Sequence, residues 1–280
     1  MKSRQMKVSQ MKNRRMGSGL CSPGLIGIVA VCLLLGSCAR PAPDRPTALV
    51  VFAAVSLTEA FDDIGAAFAA QHPGVRVVFN FGGSQNLRTQ LEQGATADVF
   101  AAANLAEMDR AVAASLVTSG SVRIFMTNQL VVIVPAANPA QVHSLTDLTR
   151  PGLKLVLAAP EVPAGQYARV LLRNLDAIFG AGYEAQVLAN LVSNEDNVRQ
   201  AVAKVQLGEA DAAIVYASDA VAAPTLRTLA IPASANVVAR YPIAVLSAAA
   251  QPDLATAFVQ MVLAPDGQAI LRKWGFTPVD

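Results

Sequence analysis

Leu49-Val50-Val51-Phe52-Ala53-Ala54-Val55-Ser56-Leu57-Thr58-Glu59-Ala60-Phe61 is the stretch that decides the fold class. Its first four residues are an apolar, β-branched run of strand length, and from Leu57 the apolar residues Leu57, Phe61, Ile64 and Phe68 recur at helical spacing. At the junction Ser56 and Glu59 stand in capping-box spacing. A strand that feeds directly into a helix is the repeating unit of α/β proteins with parallel sheets. The unit recurs along the chain: Val75 to Phe81, Asp98 to Phe100, Leu130 to Val134, Leu153 to Leu157, Ala212 to Val215 and Ile243 to Leu246 read as further strands, and Val198, Val202 and Val205 as another helical face. No internal repeat or low-complexity tract interrupts the alternation.

Composition narrows the class. Of 280 residues 53% are apolar and 15% charged, which excludes a disordered chain. Beyond the N-terminus no run of about 20 apolar residues is free of polar breaks, which argues against a multispan membrane protein. Lys and Arg number 22 against 20 Asp and Glu, but Lys2, Arg4, Lys7, Lys12, Arg14 and Arg15 fall in the first 37 residues, where there is no acid. The rest holds 16 bases and 20 acids, a net of −4 that argues against nucleic acid as a partner.

That basic start leads into Leu25 to Leu35, eleven mostly apolar residues, too short for a spanning helix and suited to a signal segment. It ends in Leu35-Gly36-Ser37-Cys38, which resembles the bacterial lipobox, so residues 1–37 are expected to be a lipoprotein-type signal peptide and Cys38 the lipidated mature N-terminus. An uncleaved anchor is the alternative, since residues 16–39 carry no charge; either leaves the body outside the cytoplasm. Residues 38–46, with Pro41, Pro43 and Pro46, read as a stiff tether. Cys21 and Cys32 fall in the signal, so no thiol remains for a disulfide, a metal or a nucleophile.

Catalytic motifs are lacking. His72 and His143 stand alone beside turn residues, outside any ligand spacing, and Gly82-Gly83-Ser84-Gln85-Asn86 lacks the last glycine of a nucleophile elbow. No phosphate-binding or dinucleotide glycine fingerprint is present. What the sequence does hold is a series of helix starts placed just after strands. One is Val55-Ser56; another is Gly82-Gly83-Ser84, whose glycines would permit a tight turn ahead of a helix at Gln85; Val162-Pro163-Ala164-Gly165 precedes a helix from Gln166 to Leu175, and Asn194 to Asn197 precede one at Val198. Helix N-termini present unpaired N–H groups and the positive dipole end, so several converging on one cleft would bind an anion without Lys or Arg. Taken singly, each serine is more simply read as a helix cap.

Phe52 to Leu57, Phe81-Gly82-Gly83-Ser84, Gln93 to Phe100, Val162 to Tyr167, Gly208 to Ala220 and the ending Trp274-Gly275-Phe276 together resemble the periplasmic molybdate-binding proteins of ABC importers, over nearly all of residues 48–278. The resemblance implies a two-lobe α/β binding-protein fold, each lobe a largely parallel sheet flanked by helices, with the ligand between them. Lobe one is then expected at 47–124 and 240–280 and lobe two at 125–239, with Arg123 to Phe125 and Arg240 to Pro242 as hinge strands. It also implies an oxyanion site of Ser56 and Ser84 from lobe one with Ala164, Val198 and Tyr216 from lobe two, Ala164 and Val198 acting through main-chain N–H. The implied ligand is molybdate or tungstate, with no cofactor, no cation ligands and no catalysis. The implied partners are the permease and ATPase of the importer, with membrane attachment through Cys38 and a monomeric body. A hydrolase using Ser84, a sulfate-type carrier and a sensor are the competing readings.

Overall fold

The run that opens the folded body forms strand β1, Thr47–Ala54, in which Leu49, Val51 and Ala53 are fully buried, and passes through a 3-10 turn, Val55–Leu57, into helix α1, Thr58–Gln71. The computed structural model describes residues 46–279; the expected signal peptide, Cys38 with its lipid, and the tether to residue 45 lie outside the described residues. After α1 come β2 (Val75–Gly82), α2 (Ser84–Glu92), β3 (Val99–Ala101), α3 (Leu105–Ala113), β4 (Arg123–Asn128), β5 (Leu130–Val134) and β6 (Leu155–Ala158). Then follow α4 (Pro163–Phe179), α5 (Tyr183–Leu188), β7 (Leu191–Glu195), α6 (Val198–Gln206), β8 (Ala212–Tyr216), α7 (Ala217–Ala222), β9 (Arg227–Leu229), β10 (Ala239–Val245), α8 (Pro252–Leu263) and α9 (Pro265–Lys273).

These strands make two five-stranded sheets, in the orders β2-β1-β3-β10-β4 and β7-β6-β8-β5-β9. In the first, β1 is parallel to β2 and β3; in the second, β6 is parallel to β7 and β8. The strands by which the chain enters the second sheet, β5, and returns to the first, β10, run antiparallel to their neighbours. The first crossing falls between Asn128 and Leu130, later than the 124/125 boundary expected, because residues 125–128 continue β4. The reason is packing: Phe125 is fully buried, with its ring centroid 5.9 Å from Phe61 and 6.4 Å from Tyr241, and so belongs to the first lobe. The return to the first sheet comes at Ala239, where β10 starts.

Helices cover both sheets. Phe61 of α1 meets Phe79 of β2, Phe125 of β4 and Phe258 of α8 at centroid distances of 6.0, 5.9 and 5.9 Å, which pins α1 to three elements through aromatic faces and edges. In the second lobe α4 buries Ala168, Leu171, Leu172 and Leu175, and α6 buries Ala201, Val202 and Val205. Such burial stabilises by roughly 1.5–3 kcal/mol per large apolar side chain. For function the consequence is positional. Strands β1, β2, β6, β7 and β8 each lead into a helix, and these carboxyl ends of parallel strands are where open α/β sheets hold ligands.

Candidate functional site

The strand-to-helix junctions meet at one cavity between the sheets. Ser56 and Ser84 line it from the first lobe, Ala164, Val198 and Tyr216 from the second, together with Gly83, Ala103 and Asn197. All five residues singled out in the sequence are therefore brought together, and none is more than 3% exposed. The space is small, about 10 Å³ for the centre of a water-sized sphere, far below the ~300–1,000 Å³ of sites for drug-sized molecules, so it suits a ligand of a few heavy atoms at most.

Each lining residue is positioned by its local structure. Ser84 opens α2, with Gly83 as N-cap, and its Oγ accepts from the Ala103 backbone N–H at 3.0 Å, which leaves its hydroxyl proton to donate. Gly83 has φ −62°, so no left-handed turn is needed there. What glycine provides is room, since a Cβ would come within 2.8 Å of the Asp196 carbonyl oxygen in the facing lobe. Ser56 lies inside the 3-10 turn, and its Oγ is 3.0 Å from the Tyr241 hydroxyl of β10. The capping box expected between Ser56 and Glu59 does not form: the N-cap of α1 is Leu57, and the Glu59 carboxylate reaches Arg199 instead. The 3-10 turn displaces the helix start and frees Ser56 for the cavity.

In the second lobe α4 begins at Pro163, three residues before the expected Gln166, so Ala164 lies within the first turn. Proline suits this start, because its missing N–H and fixed φ cost nothing there. Val198 is the first residue of α6, capped by Asn197, whose side chain accepts from Gln200 N–H at 3.1 Å. First-turn N–H groups have no carbonyl partner within the helix, so those of Ala164 and Val198 are donors in search of an acceptor. Tyr216 ends β8; its ring lies 5.7 Å from Tyr241 and 6.4 Å from Tyr167, and its buried hydroxyl has no hydrogen-bond partner among the described residues. Burial, reinforced by the neighbouring tyrosines, holds this phenol well above its ordinary pKa, so it is a neutral donor at any working pH.

Among the described residues no Lys, Arg, Asp or Glu lines the cavity. Charge stands just outside it. Asp219 of α7 is fully buried and accepts from the Tyr216 backbone N–H at 3.2 Å; burial pushes its carboxyl up to about 6 although Arg199 opposes the shift. Arg199 Nε is 2.8 Å from Asp219 Oδ1, and its Nη1 donates to Glu59 Oε1 of the first lobe at 2.7 Å. Two neutral bonds also cross the cleft, Gln85 Nε2 to the Asp196 carbonyl and Asn104 Nδ2 to Gln166 Oε1, each at 3.0 Å. Sequence reading missed these cross-cleft residues. One signal was present in Arg199, a cation at a helix N-terminus where the dipole disfavours it. His72 stacks on Phe68 and His143 bonds Gln141, and neither lines the cavity. Among the described residues no group of three or more His, Cys, Asp or Glu could hold a metal ion.

Residues 49–277 match the family of bacterial extracellular solute-binding proteins. The molybdate-binding protein ModA of Mycobacterium tuberculosis strain H37Rv is 43% identical over 264 residues, which cover 93% of this chain and 97% of its own. Among solved structures, the periplasmic molybdate-binding protein of Azotobacter vinelandii aligns with a TM-score of 0.72 at 20% identity, covering 83% of this chain and 100% of its own. The sulfate-binding protein SubI of Mycobacterium tuberculosis H37Rv aligns with a TM-score of 0.74, also at 20% identity, covering 84% and 88%. At that identity both carry the fold, that of periplasmic binding proteins, and not the choice of ligand.

Proposed function

The chain belongs to the bacterial extracellular solute-binding proteins, and we propose that its solute is molybdate or tungstate, held by Ser56, Ser84, Ala164, Val198 and Tyr216 and passed to the permease and ATPase of an ABC importer. The observation that carries this reading is the Tyr216 hydroxyl, buried and unpartnered in a small cavity lined by uncharged donors. A buried polar group without a partner costs about 1–3 kcal/mol, and a bound oxyanion removes that cost. Two serines, two first-turn residues and one tyrosine line the cavity from both lobes, a set of neutral donors that suits a tetrahedral anion. Several charge-assisted bonds of ~1.5–3 kcal/mol each are enough for micromolar to nanomolar affinity.

The donor set also argues against the rivals. A hydrolase built on Ser84 needs a base, and among the described residues no His, Asp or Glu lines the cavity. Phosphate, which keeps a proton near neutral pH, needs an acceptor, and no carboxylate faces the space. Sulfate shares molybdate's charge and shape, and the preference for molybdate rests on the 43% identical relative. The anion is cargo, so the site calls for no cofactor, and one chain supplies all five contacts, so a monomer suffices. Attachment to the membrane through a lipid on Cys38 completes the reading. Its check is palmitate labelling of cells, where Cys38→Ser should abolish incorporation and undiminished labelling would refute the anchor.

A thermal-shift panel tests the ligand. Molybdate and tungstate should raise the melting temperature, by the equivalent of ~4 kcal/mol at a thousandfold excess over Kd, and chelator should not abolish the effect. An equal shift with sulfate would reassign the protein to sulfate-type carriers. No shift with any tetrahedral anion, in protein shown to be folded, would remove the oxyanion reading.

A further inference from the structure

Glu59, Arg199 and Asp219 lie outside the cavity lining, yet each is tied to one of its walls. Glu59 stands three residues beyond Ser56, Arg199 directly follows Val198, and Asp219 accepts from the Tyr216 backbone N–H at 3.2 Å. Arg199 spans the cleft between the two carboxylates. Its Nη1 donates to Glu59 Oε1 at 2.7 Å, its Nη2 also bonds the second Glu59 oxygen, and its Nε lies 2.8 Å from Asp219 Oδ1. The guanidinium fork thus takes the Glu59 carboxylate in bidentate fashion, while its Nε stands at ion-pair distance from Asp219 without an aligned hydrogen bond.

Two local rules are broken to build this group. A carboxylate is placed where it is 0% exposed, and a cation is placed in the first turn of α6, where the helix dipole opposes it. Arg199 and Asp219 together would balance charge within the second lobe alone. Glu59 adds nothing to that balance. It comes from the first lobe, and with it the group carries an excess negative charge beside a site read as an anion site, so electrostatic attraction of the ligand is not what selects it.

We infer that Glu59, Arg199 and Asp219 form a clasp across the cleft that fixes the donors of one lobe against those of the other and sets how long a bound anion is held. The inference rests on the oxyanion reading of the cavity. Glu59 and Arg199 are positioning residues that do not touch the ligand. An anion enters while the lobes are apart, when Glu59 and Arg199 are separated, and leaves only after their bonds break. The clasp therefore acts on dissociation and hardly on association, as expected for a desolvated charge pair rather than a rim charge.

The test is the release of radiolabelled molybdate from the purified protein, chased with excess unlabelled anion, in wild type, Glu59→Gln and Glu59→Ala. Both variants should release it roughly tenfold faster, or ~1.4 kcal/mol, with association changed less than about twofold. A second readout is the radius of gyration in solution by small-angle scattering. Ligand-free Glu59→Ala should be more expanded than ligand-free wild type, and saturating molybdate should bring the two to the same value. A merely structural role for Glu59 would lower the melting temperature without moving either quantity. Unchanged release overturns the clasp, and so does faster association at unchanged release, since freeing Arg199 from one carboxylate would act that way through charge alone. If wild type binds no molybdate, the oxyanion reading fails, while the ligand-free comparison of Glu59→Ala with wild type still decides whether the lobes are clasped.

Discussion

The Tyr216 hydroxyl separates a binding role from a structural one. A phenol buried only for packing would have found a partner, and its removal would cost stability; this one has none among the described residues. Tyr216→Phe should therefore raise the stability of the anion-free protein by about 1 kcal/mol and lower anion affinity by ~1.5–3 kcal/mol. Urea unfolding and a binding titration of the same variant check both signs, and loss of stability with unchanged affinity would contradict the assignment. Ser84→Ala should lose a similar share of affinity, as should Ser56→Ala, which removes no helix cap because the cap is Leu57. Asp219 gives a pH signature. Its carboxyl titrates near 6 in the folded protein, facing Arg199 beside Glu59 and the Tyr216 N–H. Because that pKa is raised above the unfolded value, the stability it contributes is complete below about pH 4 and is lost as pH rises through 6. Asp219→Asn has no proton to lose, so the unfolding free energy of wild type relative to this variant should fall by about 3 kcal/mol between pH 4 and pH 7. A gap that does not change with pH would contradict it.

Among elements, the start of α4 carries the most demanding geometry. Gly165 lies against the end of β6 so closely that a Cβ would stand 2.0 Å from the Ala159 carbonyl oxygen and 2.4 Å from that of Ala158. Both neighbours are backbone and cannot rotate away. Gly165→Ala should cost ~3 kcal/mol in unfolding experiments, at the upper end for overpacking. By shifting the first turn it should also weaken anion binding at Ala164; wild-type affinity would refute that link. The elements legible in the sequence were those with a buried signature. The strand-to-helix passage at β1 and α1, the valine face of α6 and the apolar runs of β5 and β8 all declared themselves by periodicity. Strands β7 and β9 did not, since they are sheet edges: in β7 half-buried and exposed positions alternate, with Val192 57% exposed and the polar Ser193 and Asn194 breaking the apolar run, and β9 is three residues long with Arg227 and Thr228 exposed. The five cavity-lining residues were legible only through motif order, because Ala164 and Val198 carry apolar side chains that no polar pattern announces. Glu59 was misread because its spacing from Ser56 satisfies a local rule, whereas its partner lies 140 residues away.

At the scale of the molecule, two sheets of matching plan place five helix starts around one small space, and cross-cleft bonds hold the lobes together around it. Sites of this kind bind by fixed dipoles rather than by charge, so selectivity follows from how many donors an anion's oxygens can reach at once. An anion that satisfies donors on both sides stabilises the closed arrangement, and closure is what an importer can read. The central claim is that neutral donors from both lobes capture molybdate. Calorimetric titration of the protein with molybdate in buffer containing excess sulfate tests it most directly. One anion per chain binding at micromolar Kd or tighter, despite the sulfate, is the predicted result; no heat, or binding that sulfate abolishes, would contradict it.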